Sequence, residues 1–208
     1  MPSALAADLA ATGAGYALGS LPVGLWLGRR IRQVDVRNFG SGSMGTTNVL
    51  RTIGPAAALA TFVLDVGKGS AAVLVARALG ADAAGQAAAG FAAVVGHSWP
   101  MLARFRGGKS VATAFGGLLV VSPVASACAA AVGLPALVGT RIVSVGSLSA
   151  AAAATLGSGV HWAAGGGSAE AFAYTAGVSA VVVVRHRANL RRLARGEEPQ
   201  VSLRRRMA

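Results

Sequence analysis

The first stretch able to do chemistry is Gly40-Ser41-Gly42-Ser43-Met44-Gly45-Thr46-Thr47-Asn48-Val49-Leu50-Arg51. Glycines leave backbone N–H groups uncovered and hydroxyls add donors, so a loop of this kind can cradle a phosphate. Arg51 can then clamp the anion with two parallel hydrogen bonds. Thr47 and Arg51 are four apart and share a face wherever the loop opens a helix. Gly40, Gly42 and Gly45 also fit G-x-G-x-x-G, with Asp65 following at the distance a dinucleotide site uses. That fingerprint requires a strand–helix–strand unit. Thr52 to Leu79 is instead one long Ala/Val/Leu run, which excludes it.

A second stretch reads Gly96-His97-Ser98-Trp99-Pro100, then Phe105-Arg106-Gly107-Gly108-Lys109-Ser110-Val111-Ala112-Thr113. It imitates a nucleotide-binding loop ending in Gly-Lys-Ser, but the required first glycine is Ala103 and no strand precedes it. The physics that survives is a Gly-Gly turn, a lysine and a helix start aiming N–H groups at an anion. Anion binding is supported; nucleotide hydrolysis is not. In the third stretch, Thr140-Arg141-Ile142-Val143-Ser144-Val145-Gly146-Ser147, the hydroxyls can serve a site or simply bond helix carbonyls. The fourth runs from Arg185 to Glu198. His186 and Asn189 share one helical face there, and Arg185, Asn189 and Arg192 follow i, i+4, i+7. For Arg191–Arg195 and Arg204–Arg206 a basic helix and tail gripping anionic lipid is explanation enough.

These stretches need something to hold them, and composition says what. The chain has 208 residues, of which 54% are hydrophobic and only 12% charged. Soluble domains carry about 25% charged residues, so this chain cannot cover an aqueous globule. Apolar runs lie near 9–28, 55–79, 86–103, 110–123, 124–140, 142–160 and 170–184. Full spans need roughly 20 residues, and 110–123 is the shortest of the seven. We expect an all-α, polytopic integral membrane bundle of about seven transmembrane helices, occupying 1–198 as one domain, with 199–208 a basic tail. No basic segment precedes the first run, which argues against a cleaved signal peptide.

Charge orients the bundle. The net charge is +12, and 17 of the 19 basic residues fall in 29–54, 104–109, at Arg141, or from Arg185 onward. The turns 80–85 and 161–169 contain none. The positive-inside rule puts the four basic segments in the cytoplasm, with the N-terminus outside and the C-terminus inside. Trp26, Trp99 and Trp162 fall near span ends, as an aromatic belt requires. Within one span, Asp65 and Lys68 are i, i+3 on a single face, and we expect them to pair toward the bundle interior. Basic stripes interleaved with aromatics are missing, so no nucleic-acid partner is expected. Cys128 is the only cysteine and the three histidines are scattered, so neither a metal site nor a cofactor is expected.

Taken in order from about Gly19 to Glu198, these segments resemble the bacterial glycerol-3-phosphate acyltransferase family that uses acyl phosphate, the PlsY family. The Leu64-Asp65…Lys68-Gly69 span and the Thr-Arg…Val-Ser turn resemble it too. The resemblance implies transfer of a fatty acyl group from acyl phosphate to the sn-1 hydroxyl of glycerol 3-phosphate, giving lysophosphatidate and phosphate. It implies Ser41, Arg51, Lys109 and His186 as catalytic groups. Gly42, Ser43, Thr47, Asn48, Gly107, Gly108, Ser144, Ser147 and Asn189 become the substrate contacts. It implies a multi-pass protein of the bacterial inner membrane, with its site facing the cytoplasm and contact with an enzyme that makes acyl phosphate. Two positions depart from the family: Ser43 stands where Asn is usual, and Ser110 where Gly is usual.

The residues suit that chemistry independently. Acyl phosphate is already activated, so the protein must supply orientation, worth up to roughly 7–11 kcal/mol, and cations that let two phosphates approach. Acyltransferases of the His-x4-Asp type are excluded, because His97, His161 and His186 are followed at that spacing by Leu102, Gly166 and Arg191. We expect direct attack with no acyl-enzyme, the base being His186 or a substrate phosphate. The alternative is a transporter or flippase for a small anionic substrate, which would share the spans and the phosphate cradle.

Overall fold

The computed structural model describes residues 4–201, in which ten α-helices form and no strand does. In chain order they are α1 Ala4–Gly19, α2 Val23–Arg32, α3 Thr46–Thr52, α4 Pro55–Ala78 and α5 Ala83–Ser98. There follow α6 Val111–Val121, α7 Pro123–Thr140, α8 Val143–Ala163, α9 Ala169–Arg185 and α10 Arg187–Ala194. The starts are written in the sequence. Pro55 and Pro123 occupy first helical positions, where a missing N–H costs nothing. Asp82 and Ser168 cap α5 and α9 by accepting from Gly85 N at 2.8 Å and Ala171 N at 3.2 Å. The segment 202–208, with Arg204–Arg206, lies outside the described residues, as do residues 1–3.

The bundle is apolar on its outside. Val138, Leu156, Val160 and Leu5 are 75%, 71%, 69% and 67% exposed, whereas the buried positions are mostly Ala, Gly and Val. In water such a surface would aggregate; against lipid tails it costs nothing, and small residues inside let backbones touch. Gly15 and Gly19 of α1 lie so close to α5 that an added Cβ would sit 2.2 Å and 2.1 Å from the Ala89 and Ala93 carbonyl oxygens. Gly69 and Gly116 bring α4 and α6 equally close. Three helices, α4, α7 and α8, are long and apolar enough to cross a membrane by length and composition.

Three expected runs differ from the helices that form. The run 9–28 is not one helix: α1 stops at Gly19, and α2 starts separately after Pro22, whose ring cannot continue the ladder. The resulting α2 is amphipathic and ends in Arg29, Arg30 and Arg32. The run 86–103 ends early, because α5 stops at Ser98 ahead of Pro100. The run 110–123 yields only the 11 residues of α6, about 16 Å of helix. Its shortness has a cause. Gly108 N donates to His97 O at 3.0 Å, and the Ser110 hydroxyl bonds Val94 O at 2.9 Å and Ser98 Oγ at 2.5 Å. The chain therefore re-enters the bundle beside the last turn of α5 before α6 begins.

Asp65 and Lys68 pair inside α4 at 2.8 Å, and both are buried. Lys68 Nζ also donates to Leu21 O at 2.9 Å, a carbonyl in the α1–α2 break. His97 joins them, its Nδ1 3.5 Å from Asp65 Oδ1. At the adjacent end of the bundle the four basic segments meet. Arg37 clamps Asp35 with two hydrogen bonds and donates to Ala103 O at 2.7 Å. Arg185 donates to Gly108 O at 2.9 Å, and Val201 N to Arg141 O at 2.8 Å.

Candidate active site

The first wall of the site is the loop from Asp35 to Gly45, and Asn48 shapes it. Its amide donates to the carbonyls of Val36, Phe39 and Ser43 at 2.7, 3.1 and 2.7 Å, and its oxygen accepts from Ser41 N at 3.0 Å. Those bonds occupy the amide fully. Asn48 is thus the organiser of the cradle, and its polar atoms are not turned to a ligand. Gly40 has φ +57°, and an added Cβ would strike Asn48 Oδ1 at 2.3 Å, so both backbone and space demand glycine. Ser43 Oγ accepts from Gly45 N at 3.2 Å, so its side chain serves the turn as well. The hydroxyls of Ser41 and Thr47 and the guanidinium of Arg51 make no hydrogen bond or ion pair among the described residues. Asp35, held at a pKa of about 2 by its Arg37 partner, fixes the start of this loop.

The second wall is the glycine turn. Gly107 and Gly108 are buried, and Arg185 ties both carbonyls, at 3.4 and 2.9 Å, while its guanidinium stacks 5.3 Å above the Trp99 ring. The turn therefore holds Lys109 in place from its backbone. Lys109 itself forms no ion pair among the described residues. Burial lowers its pKa from 10.5 to about 8; Glu198 opposes the shift, and Arg192, Arg51 and Arg185 add to it. Lys109 is thus within electrostatic reach of Arg51 from the first basic segment and of Arg185, Arg192 and Glu198 from the last. Ser110 takes φ +62°, a left-handed conformation that glycine enters more easily, and its two hydroxyl bonds offset the strain.

The third wall is the α9–α10 junction and the chain that follows. His186 is buried, and its Nδ1 lies 2.7 Å from Val182 O. Burial, with Lys109 and Arg185 nearby, lowers its pKa to about 4. The ring is therefore neutral at pH 7, Nδ1 carries the proton and donates to Val182 O, and Nε2 is left as an acceptor. Asn189 and Ser144 both donate to Glu198 Oε1, Ser144 at 2.8 Å, and Arg192 Nε donates to Oε2 at 2.7 Å. Ser147, one turn along, bonds Val143 O at 2.9 Å and so serves its own helix.

Sequence reasoning does not place Arg185, Glu198 or His97 in the site. Arg185 is visible in the i, i+4, i+7 row with Asn189 and Arg192. Glu198 is a carboxylate in an otherwise basic tail, which is a signal that it faces cations. His97 stands in the second stretch, but the sequence does not reveal its partners, which come from α4 and from the turn.

These cations, hydroxyls and one neutral imidazole acceptor are groups suited to binding phosphate. Above the second ionisation of the phosphate, affinity should be highest below a pH of about 8 and fall as pH rises through it, because Lys109 then loses its charge. Calorimetric phosphate titrations on either side of that pH check this, and Lys109→Arg should remove the fall, since arginine stays charged.

A family model described as glycerol-3-phosphate acyltransferase matches residues 9–196. A glycerol-3-phosphate acyltransferase of Desulforudis audaxviator (strain MP104C) is 42% identical over 202 residues, covering 97% of this chain and 99% of that one. One of Gloeobacter violaceus (strain ATCC 29082 / PCC 7421) is 48% identical, covering 90% and 92%. The crystal structure of PlsY (YgiH), an integral membrane glycerol 3-phosphate acyltransferase, in its glycerol 3-phosphate form, superposes with a TM-score of 0.83. It is 34% identical and covers 97% of this chain and 96% of that one.

Proposed function

We propose a specific reaction for this chain, which belongs to the glycerol-3-phosphate acyltransferase family: transfer of a fatty acyl group from acyl phosphate to the sn-1 hydroxyl of glycerol 3-phosphate. The hydroxyl oxygen bonds the acyl carbon, the acyl–phosphate bond breaks, and lysophosphatidate and inorganic phosphate leave. The observation that carries this reading is the set of groups around Lys109: Arg185 donates to Gly108 O at 2.9 Å, Arg192 pairs with Glu198 at 2.7 Å, and Arg51 acts on the same ammonium, with His186 neutral nearby. Two phosphorylated reactants repel each other, and these cations offset that repulsion and stabilise charge that builds on the leaving phosphate. Ser41, Gly42 and Thr47 with Arg51 hold one phosphate; Gly107, Gly108 and Lys109 hold the other.

His186 Nε2 accepts the attacking hydroxyl's hydrogen bond and orients it. With a pKa of about 4 the imidazole is a weak base, so the departing phosphate takes the proton in the end. Transfer is direct, without an acyl-enzyme. The start of the acyl chain follows a shallow apolar groove that begins two residues beyond Lys109, lined by Val111, Ala114, Phe115, Leu118, Ala151 and Val182, and the rest of the chain runs on into lipid. Ala151→Phe should raise KM for a long-chain acyl donor by about 10–100-fold, the scale at which apolar pockets discriminate. KM for glycerol 3-phosphate should stay unchanged, and initial rates with two donor lengths check this.

The seven spans of this reading are α1, α4, α5, α6, α7, α8 and α9, with the cationic end in the cytoplasm, the N-terminus outside and the C-terminus inside. The loss of basic residues from the opposite turns supports that orientation. In a bacterium this places the site at the inner face of the plasma membrane, within reach of an enzyme that supplies acyl phosphate. Purified protein given palmitoyl phosphate and labelled glycerol 3-phosphate should form lysophosphatidate. No product, together with movement of labelled substrate across liposomes, would establish the carrier alternative instead.

A further inference from the structure

We infer that His97 is a positioning residue for the phosphate held at Lys109, acting as a rigid spacer between the buried Asp65–Lys68 pair and Gly108. This inference rests on the phosphate-binding reading of the glycine turn. The imidazole is buried and touches charge on one edge and backbone on the other. Its Nδ1 is 3.5 Å from Asp65 Oδ1, and a Cβ placed on Gly108 would lie 2.1 Å from its Nε2. The His97 carbonyl accepts from Gly108 N at 3.0 Å, so ring and backbone both set the depth of that residue.

The spacer itself cannot sink. Asp65 beneath it is held by Lys68 at 2.8 Å, and Lys68 is held by Leu21 O in the α1–α2 break. From above, Arg185 pulls on Gly108 O at 2.9 Å. Gly108 is therefore clamped between a supported ring and a cation, and Lys109 follows it in the chain. Packed interiors transmit such displacements, since they hold few voids to absorb them. A smaller residue at 97 lets the turn sag, and a larger one at 108 lifts it; either misplaces Lys109 and weakens phosphate binding. With His97 gone, a Cβ at 108 has no ring to strike, so the second fault should add little to the first.

The test is a double-mutant cycle on the full-length protein, reading Kd for glycerol 3-phosphate by calorimetry and KM against kcat in the transfer assay. His97→Ala and Gly108→Ala should each raise Kd and KM about tenfold or more, with kcat changed far less, the pattern of lost ground-state binding. The double variant should return to within about threefold of His97→Ala alone, where independent effects would multiply. A multiplied penalty, an unchanged Kd in His97→Ala, or a His97→Ala chain that does not fold each overturns the proposal. Should Gly108→Ala alone fail to fold, the folded yield of the double variant decides: recovery supports the clash, and no recovery refutes it. Wild-type protein that binds glycerol 3-phosphate yet makes no lysophosphatidate sinks the acyl-transfer reading and leaves this cycle readable. Wild-type protein that does not bind it sinks both.

Discussion

Lys109→Ala should lower kcat/KM for glycerol 3-phosphate by about 10²–10³-fold, roughly 2.7–4 kcal/mol of lost charge stabilisation. Arg51→Ala should cost a similar factor, and the double variant less than the product, because the two cations serve one cluster of negative charge. The fold should not suffer. Neither side chain forms a hydrogen bond or ion pair among the described residues, so removing it orphans nothing. Lys109 is buried, and the attraction of Glu198 is set against the repulsion of Arg192, Arg51 and Arg185. Its loss should leave Tm unchanged or slightly raised, the signature of a residue kept for function at a cost in stability. Thermal melting in detergent beside the activity assay checks both halves. A variant that loses activity and Tm together would make Lys109 a structural residue instead.

Asp65→Ala should have the opposite profile. Asp65 and Lys68 are 2% and 4% exposed at the side chain and lie deep within α4. Removing one partner leaves the other charge stranded and typically costs about 3–5 kcal/mol. Lys68→Ala should cost as much, while Asp65→Leu with Lys68→Met, which removes both charges and keeps the bulk, should recover most of the loss. Folded yield and Tm in detergent read the result. Single variants as stable as the parent would show that water reaches the pair, against its burial between the helices.

The elements that can be read from sequence are those governed by local period. Each of the seven apolar runs contains helix, and Asp65 and Lys68 pair because i, i+3 spacing leaves them no choice of face. The cationic segments can be sorted by counting. Contacts between distant segments cannot be read. Leu21 and Pro22 look like part of one apolar run, and only the freed carbonyl taken by Lys68 shows why the break is tolerated. The shortness of the run after Lys109 is visible, but not its reason, which is the turn folding back onto His97 and Val94. Asn48 stands in the glycine-rich stretch, and its amide is spent on the loop's own backbone, which the spacing alone does not reveal. Its amide builds the cradle from which Ser41 and Arg51 face outward. Glu198 returns from the far side of α10 to meet Ser144, and no spacing rule reaches across that distance.

Direct transfer requires acyl phosphate and glycerol 3-phosphate to be bound together. Initial rates measured while varying both substrates test this most directly, with phosphate and lysophosphatidate followed at once. Direct transfer predicts double-reciprocal lines that intersect and the two products formed one for one. Parallel lines, with phosphate released before glycerol 3-phosphate is added, would show a covalent acyl-enzyme and contradict it.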